Sequence, residues 1–226
     1  MTKIISFLNT KGGSGKSTTT VNVARGIQIK GFDVLIGDCD PQASARNWRD
    51  LSDEEERFPQ VIGIDRENTV DAIKDASREY DFALIDGLAK DMRINTKALL
   101  VSDLVIIPLN PSLLDIWGFG DFLDVIKQRQ AINNGNPQAA FLITRQQPNS
   151  RLSVKTRNTL ESHFPVLTSV LAERAVYKDI FETGSTVYEL ASKRHQKARD
   201  EVEGITNEIL QMIGNKVQSR GDIEYA

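Results

Sequence analysis

The chain has 226 residues, 40% hydrophobic and 26% charged, with a formal charge of −3; these are the proportions of one folded domain, not of a disordered, fibrous or disulfide-framed protein. No run approaches the roughly 18 apolar residues of a membrane span, and Met1-Thr2-Lys3 leads into a strand-like run instead of a signal peptide, so a cytoplasmic protein is expected. Cys39 is the sole cysteine, which excludes an internal disulfide, a Cys-rich zinc site and a cluster ligated by the cysteines of one chain. A small buried side chain at a strand end accounts for it.

Runs rich in Val, Ile, Leu and Phe predict strands at Ile4–Leu8, Val34–Gly37, Phe82–Ile85, Leu104–Pro108 and Ala140–Thr144. They are mostly continuous instead of alternating, as suits strands buried on both faces of a parallel sheet. Helix-like stretches are predicted at Lys16–Lys30, Pro41–Leu51, Thr69–Arg78, Arg93–Val101, Asp115–Asn133, Arg151–His163 and Asp200–Ile213. The alternation gives an α/β fold, a doubly wound and mostly parallel sheet with helices on both faces. One domain over 1–214 is expected, with an acidic loop at Asp50–Arg57 and a polar tail at Asn215–Ala226.

The first strand runs into Asn9-Thr10-Lys11-Gly12-Gly13-Ser14-Gly15-Lys16-Ser17-Thr18 and then into a helix. Such a junction aims several backbone N–H groups at one point, where the helix dipole also favours an anion, and phosphate is the natural occupant. Gly12, Gly13 and Gly15 let the backbone curl around oxygens, Lys16 reaches the β/γ-phosphates, Ser17 offers its hydroxyl to Mg²⁺, and Thr18 falls beside the α-phosphate. The usual G-x-x-x-x-G-K-[ST] pattern is broken, because Thr10 holds the first glycine position.

The second strand ends in Asp38-Cys39-Asp40-Pro41-Gln42 and the third in Asp86, all at the carboxyl edge where open α/β sheets bind ligands. Asp86 closes an apolar strand as an acid that can hold Mg²⁺, an ion that takes one or two carboxylates plus phosphate oxygens. Asp40 before Pro41 also fits a helix N-cap followed by proline at the first helical position. A surface role for Asp86 is the plainer alternative.

The loop K-G-G-x-G-K-S, with D-x-D-P-Q and the Asp86 strand, resembles the deviant Walker A ATPases of the ParA/MinD superfamily, most of all the small ParA type without an N-terminal helix-turn-helix. The resemblance covers about Met1 to Gly214. It implies a homodimer formed with ATP and Mg²⁺, in which Lys11 crosses to the partner's phosphates, so that hydrolysis depends on association; the plain alternative for Lys11 is an exposed loop lysine. It further implies that Asp40 orients the attacking water, that Asp38 with Ser17 and Asp86 supports the metal shell, and that Pro108 and Arg145 lie by adenine.

Arg145 to Arg199 carries ten Lys/Arg against five Asp/Glu, a net +5 that leaves −8 elsewhere. In the ParA type such a region binds DNA without sequence preference, and the resemblance directs attention to Arg174 and Lys178, with Arg151, Lys155 and Arg157 nearby. A cluster at Lys193-Arg194-His195-Gln196-Lys197 is a further possibility, and a solvated charged face is the plain reading of all of these. His163 and His195 read as helix-surface residues.

The implied activity is ATP hydrolysis that drives plasmid or chromosome segregation, stimulated by a centromere-binding, ParB-like adaptor, on the nucleoid and without a membrane. A single cysteine is too few for a shared iron–sulfur cluster, and the short, nearly neutral end lacks a basic amphipathic membrane helix. Two other readings stay open: positioning of a non-DNA cargo, such as a chemoreceptor cluster or protein microcompartment, and a P-loop metabolic ligase or kinase.

Overall fold

The computed structural model describes residues 1–52, 58–64, 69–89, 91–112, 120–147 and 151–214. Six strands, β1 (Lys3–Phe7), β2 (Val34–Asp38), β3 (Gln60–Gly63), β4 (Phe82–Asp86), β5 (Leu104–Leu109) and β6 (Gln138–Ile143), form one sheet in the order β3-β2-β4-β1-β5-β6. Every pairing is parallel. The helices are α1 (Lys16–Ile29), α2 (Ser44–Asp50), α3 (Thr69–Ala76), α4 (Met92–Val101), α5 (Gly120–Ile132), α6 (Arg151–Glu161), α7 (Val176–Glu182) and α8 (Gln196–Met212), with a 3₁₀ turn at Lys193–His195 before α8.

The continuous apolar runs divide between two layers because successive side chains of a strand point to opposite faces. Ile5 and Phe7 of β1, Phe82 and Leu84 of β4, and Leu104 and Ile106 of β5 pack with α1, α2, α7 and α8. Ile4, Ala83, Ile85, Val105 and Ile107 pack with α3, α4, α5 and α6 on the other side. Each fully buried Ile, Leu or Phe contributes about 1.5–3 kcal/mol, so the two layers fix the strand ends that carry the site.

α1 is buried nearly all round, and its polar residues are reconciled with that burial locally. Thr19 and Thr20 donate to the carbonyls of Gly15 and Lys16 at 2.8 and 3.0 Å. Asn22 donates to Thr18 O at 2.8 Å and accepts from Val187 N–H at 3.0 Å. The five expected strands are present.

β3 goes beyond the sequence reading: it is a four-residue edge strand, partly exposed, with Pro59 before it. α7 is likewise additional, and α8 begins at Gln196 instead of Asp200. α2 starts three residues later than expected. Asp40 accepts from Gln42 N–H through Oδ1 and from Ala43 N–H through its carbonyl, and Ala43 turns to φ 56 before the helix begins. Asp40 is therefore the first residue of a turn and not the N-cap of α2. Residues 53–57, 113–119 and 215–226 lie outside the described residues, and with them most of the acidic loop, the start of the helix expected at Asp115 and the polar tail.

Candidate functional site

At the end of β1 the chain turns on Asn9, whose side chain accepts from Lys11 N–H at 2.8 Å and donates to Pro108 O. The loop then passes Gly13 and Gly15, both with positive φ (70 and 88), into α1. Gly15 has a second reason to be glycine: a Cβ there would lie 3.2 Å from Thr144 Cγ2. Thr144, just past β6, places its hydroxyl 2.9 Å from Ser14 O and 3.2 Å from Asn110 Oδ1. Thr144 thus ties the loop to the far side of the sheet, a role with no local sequence signal.

Lys16 is buried, 7% exposed, and donates to Lys11 O at 3.3 Å. Burial lowers its pKa, while Asp86 and then Asp40 pull it back up. Lys11, Gly12 and Gly13 are exposed and Ser17 and Thr18 half-buried, so the loop presents an open rim around a buried ammonium. Ser14 is buried, with no hydrogen-bond partner for its hydroxyl.

The three carboxylates meet at one sheet edge, because β2 and β4 pair with Asp38 opposite Asp86. Asp38 is 1% exposed and its oxygens are engaged. Oδ1 accepts from Asp40 N–H at 2.8 Å, and Oδ2 accepts from Arg46 N–H at 3.2 Å and pairs with Arg46 Nε at 3.5 Å. Arg46 also donates through Nη2 to Asp40 O at 3.0 Å. One guanidinium from α2 therefore holds the D-x-D turn at two points, and it escaped the sequence reading because the contact depends on how α2 folds back.

Asp86 differs. It is fully buried, and neither oxygen completes a hydrogen bond. Burial first, with Asp38 and Asp40 adding to it, pushes its carboxyl up to about 7 against the pull of the Ser17 hydroxyl and Lys16. A buried carboxylate that completes no hydrogen bond, with the Ser17 hydroxyl and Lys16 as its favourable neighbours, fits a divalent cation that supplies the missing charge. Among the described residues no group of three or more His, Cys, Asp or Glu closes on one point, so such an ion would draw its remaining ligands from phosphate and water. Cys39, between the aspartates, is buried and raised to about 12 mainly by desolvation, a packing residue as expected.

Behind Asp86 the packing leaves no slack. A Cβ on Gly87 would lie 2.5 Å from Leu8 Cδ2 and 2.8 Å from Phe7 O. Asn95 of α4, fully buried, donates to Leu88 O at 2.9 Å and so fixes the turn after the strand.

A cleft of about 340 Å³ opens beside the loop, within the range of small-molecule sites. Gly15 and Thr18 of the loop line it, together with Thr144 and Arg145 past β6 and a wall formed by residues 171–175, Tyr177 and Lys178. Arg145, expected by adenine, lies in the cleft lining at φ 49, with Nη2 3.9 Å from where a Gly13 Cβ would be.

Pro108, also expected by adenine, is buried within β5 and is not among the residues that line the described cleft. It presents its backbone to the same side as Ile106, toward β1, whose pairing ends at Ile106. The missing N–H therefore costs no ladder bond, and the carbonyl serves Asn9.

The basic residues divide. Arg174 and Lys178 line the cleft, and Arg174 is ion-paired with Glu201 at 2.6 Å. Arg157 donates to Val166 O and Leu167 O at 3.3 and 2.8 Å. Arg151 and Lys155 belong to α6, but their side chains lie outside the described ones. Lys178, Lys193, Arg194 and Lys197 are exposed. His163 is exposed in the turn after α6, with Nδ1 3.3 Å from Lys127 Nζ, and His195 lies in the 3₁₀ turn beside Arg194.

A parallel doubly wound sheet, a glycine loop leading into a helix, a buried loop lysine and acids on the neighbouring strand ends together define a P-loop nucleotide-binding protein. Residues 5–187 match the family described as the CobQ/CobB/MinD/ParA nucleotide binding domain, and the chain belongs to that family. Maintenance of carboxysome distribution protein A of Halothiobacillus neapolitanus is 31% identical over 209 residues, which span 91% of this chain and 95% of that protein. Protein ParA of Rhizobium radiobacter is 25% identical over 198 residues, 86% of this chain and 89% of that one. Among solved structures, the septum site-determining protein MinD of Pyrococcus horikoshii, complexed with Mg-ADP, matches with a TM-score of 0.71 at 22% identity, covering 95% of this chain and 98% of MinD. Apo McdA of Cyanothece gives 0.71 at 16% identity, covering 91% and 100%. At these identities the structural likenesses establish the fold.

Proposed function

We propose that the protein is a positioning ATPase of the ParA kind, in which ATP and Mg²⁺ join two copies, the dimer is carried on nonspecific DNA, and a partner-stimulated hydrolysis step releases it. The observation that carries this reading is the loop that buries Lys16 beside the carboxylates of Asp86 and Asp40 at the sheet edge and leaves Lys11 exposed on its rim. The loop N–H groups and Lys16 bind the phosphates. Asp86 and Ser17 would hold Mg²⁺, which neutralises charge on the phosphate oxygens. Asp38, anchored by Arg46, shapes the turn that carries Asp40. Asp40 has one oxygen fixed by Gln42 N–H, which leaves the other to align a water.

Lys11 is exposed at the rim, in a position to meet a partner's phosphates, and so would add charge to the transition state only after two copies have met. That coupling is why a metabolic ligase or kinase is the weaker reading. The DNA surface belongs on exposed cations, for which Lys178, Lys193, Arg194 and Lys197 qualify. Arg174 is engaged by Glu201, Arg157 by backbone carbonyls, so both enter that surface as weaker contributors; Arg151 and Lys155 remain proposed members of it. No described helix is long and apolar enough to cross a membrane.

A plasmid or chromosome partition complex, presented by a centromere-binding adaptor, is the proposed cargo. A protein microcompartment is the second reading, supported by the 31% identity to a carboxysome distribution protein. Co-sedimentation with nonspecific duplex DNA, with ATP, ADP or no nucleotide at two salt concentrations, tests the common part. Binding that needs ATP and falls with salt is expected, since phosphate contacts act by counterion release; equal binding in all three states would refute the switch.

A further inference from the structure

Glu201, on the second turn of α8, belongs to none of the sequence motifs, yet its carboxylate collects four hydrogen bonds from the wall of the cleft. Oε2 accepts from Ala172 N–H at 3.2 Å and from the Tyr177 hydroxyl at 2.8 Å. Oε1 accepts from Arg174 Nη2 at 2.6 Å and from Arg174 Nε at 3.0 Å. All three donor residues line the cleft beside Gly15 and Thr18.

Four donors approach the capacity of a carboxylate, and charge-assisted bonds of this kind are about twice as strong as neutral ones. The side chain is shielded, 17% exposed against 33% for Arg174, so water competes weakly for it. Tyr177 is 8% exposed, and its pKa is raised by burial and then by Glu201, so it stays a proton donor.

Elsewhere the wall is held by packing, with Leu171, Val176 and Tyr177 in the core layer shared with α1 and α8, and by bonds to the sheet. At the end of β6, Leu171 N–H donates to Ile143 O and Gln146 N–H to Leu171 O, both at 3.0 Å, and Glu173 N–H donates to Gln146 O at 3.1 Å, which holds the sheet side of the wall. On the helix side, Glu201 takes the bonds of Ala172 N–H and the Arg174 guanidinium and the shorter bond of the Tyr177 hydroxyl, which also lies 3.4 Å from Ala198 O. We propose that Glu201 is the positioning residue for the nucleoside side of the cleft: from α8 it holds Ala172, Arg174 and Tyr177 in place for the base and ribose, with no part in gripping the phosphates. This rests on the nucleotide binding proposed above and reads the cleft, which opens beside the loop at Gly15 and Thr18, as the place of the nucleoside. It makes α8 part of the binding site.

Titration calorimetry with two probes separates this role from general support of the fold. Inorganic pyrophosphate reads the phosphate loop alone; ADP reads the loop and the wall, both with Mg²⁺ present. Glu201→Gln should weaken ADP by about tenfold and leave pyrophosphate unchanged, and Tyr177→Phe, which removes one donor and keeps the ring, should weaken ADP less and again spare pyrophosphate. Equal loss for both probes would make Glu201 a general structural residue and overturn the proposal, as would unchanged ADP affinity in both variants. If Glu201→Gln does not fold, Tyr177→Phe alone decides by the same comparison. Wild-type protein that binds ADP no tighter than pyrophosphate would instead overturn the placement of the nucleoside in this cleft, and binding of neither probe would overturn the nucleotide reading itself.

Discussion

Around the phosphate loop the acidic groups and the loop's anchor stand within two residues of a strand end, as Asn9 after β1, Asp38 and Asp40 at the end of β2, and Asp86 at the end of β4. The opposite wall, residues 171–178, is irregular chain followed by the start of α7, held by a bridge to β6 and by Glu201 from α8. The first side inherits its precision from the core, because both faces of the sheet are packed and the strand ends have nowhere to move. The second is seated on the core through Leu171, Val176 and Tyr177, but its polar face depends on a few contacts between segments far apart in sequence. Phosphate binding should accordingly survive many substitutions that impair recognition of the rest of the nucleotide.

The contrast extends to charge. The +5 of Arg145–Arg199 suggests a basic face, but Arg157, Arg174 and Arg199 are spent inside the chain: Arg199 donates to Leu190 O and to Gln196 Oε1. A charge count along a sequence becomes a surface only after these internal bonds are subtracted.

The largest effect should come from the rim of the phosphate side. Lys11→Ala is expected to keep ATP binding and lose partner-stimulated turnover by about 10²–10³-fold, the cost of removing one charge aimed at the transition state; unchanged stimulated turnover would take Lys11 out of the mechanism. Arg46→Ala should reduce kcat by about tenfold with KM nearly unchanged, because it loosens the turn bearing Asp40 without touching the phosphate loop. A matched rise in KM would show that Arg46 supports binding instead.

Arg157→Ala should cost about 1–3 kcal/mol of stability, the penalty for orphaning two carbonyls, whereas Lys193→Ala should stay within about 0.5 kcal/mol. Chemical denaturation distinguishes them, and equal values would erase the division between spent and exposed cations.

A smaller effect is expected from pH. The Asp86 carboxyl is raised from its ordinary 3.8 to about 7, so between those values the folded chain holds a proton that the unfolded chain has lost. Stability of the metal- and nucleotide-free protein must then fall, on this group's account, as pH climbs from about 4 to about 7. Asp86→Asn should flatten that slope in Tm measured across the interval, and an unchanged slope would assign it to other groups.

Much of the phosphate side was legible because its signals are local. Glycines before a lysine and a helix, and acids that close apolar runs, need only neighbouring residues to be understood, and Lys16, Asp38, Asp40 and Asp86 all fall at the expected edge. β3 was missed because four partly exposed residues after a proline carry little periodicity. Thr144, Arg46, Asn95 and Glu201 were missed because each acts across 7 to 130 positions of sequence, where no spacing rule applies.

The most direct test of the ATP-switched dimer is light scattering on size-exclusion chromatography with Asp40→Ala, which should bind ATP without consuming it. The account predicts a dimer with ATP and Mg²⁺ and a monomer with ADP or no nucleotide, with the ATP dimer weakened when Lys11→Ala is added. A monomer in every nucleotide state, at concentrations where calorimetry shows ATP bound, would contradict it.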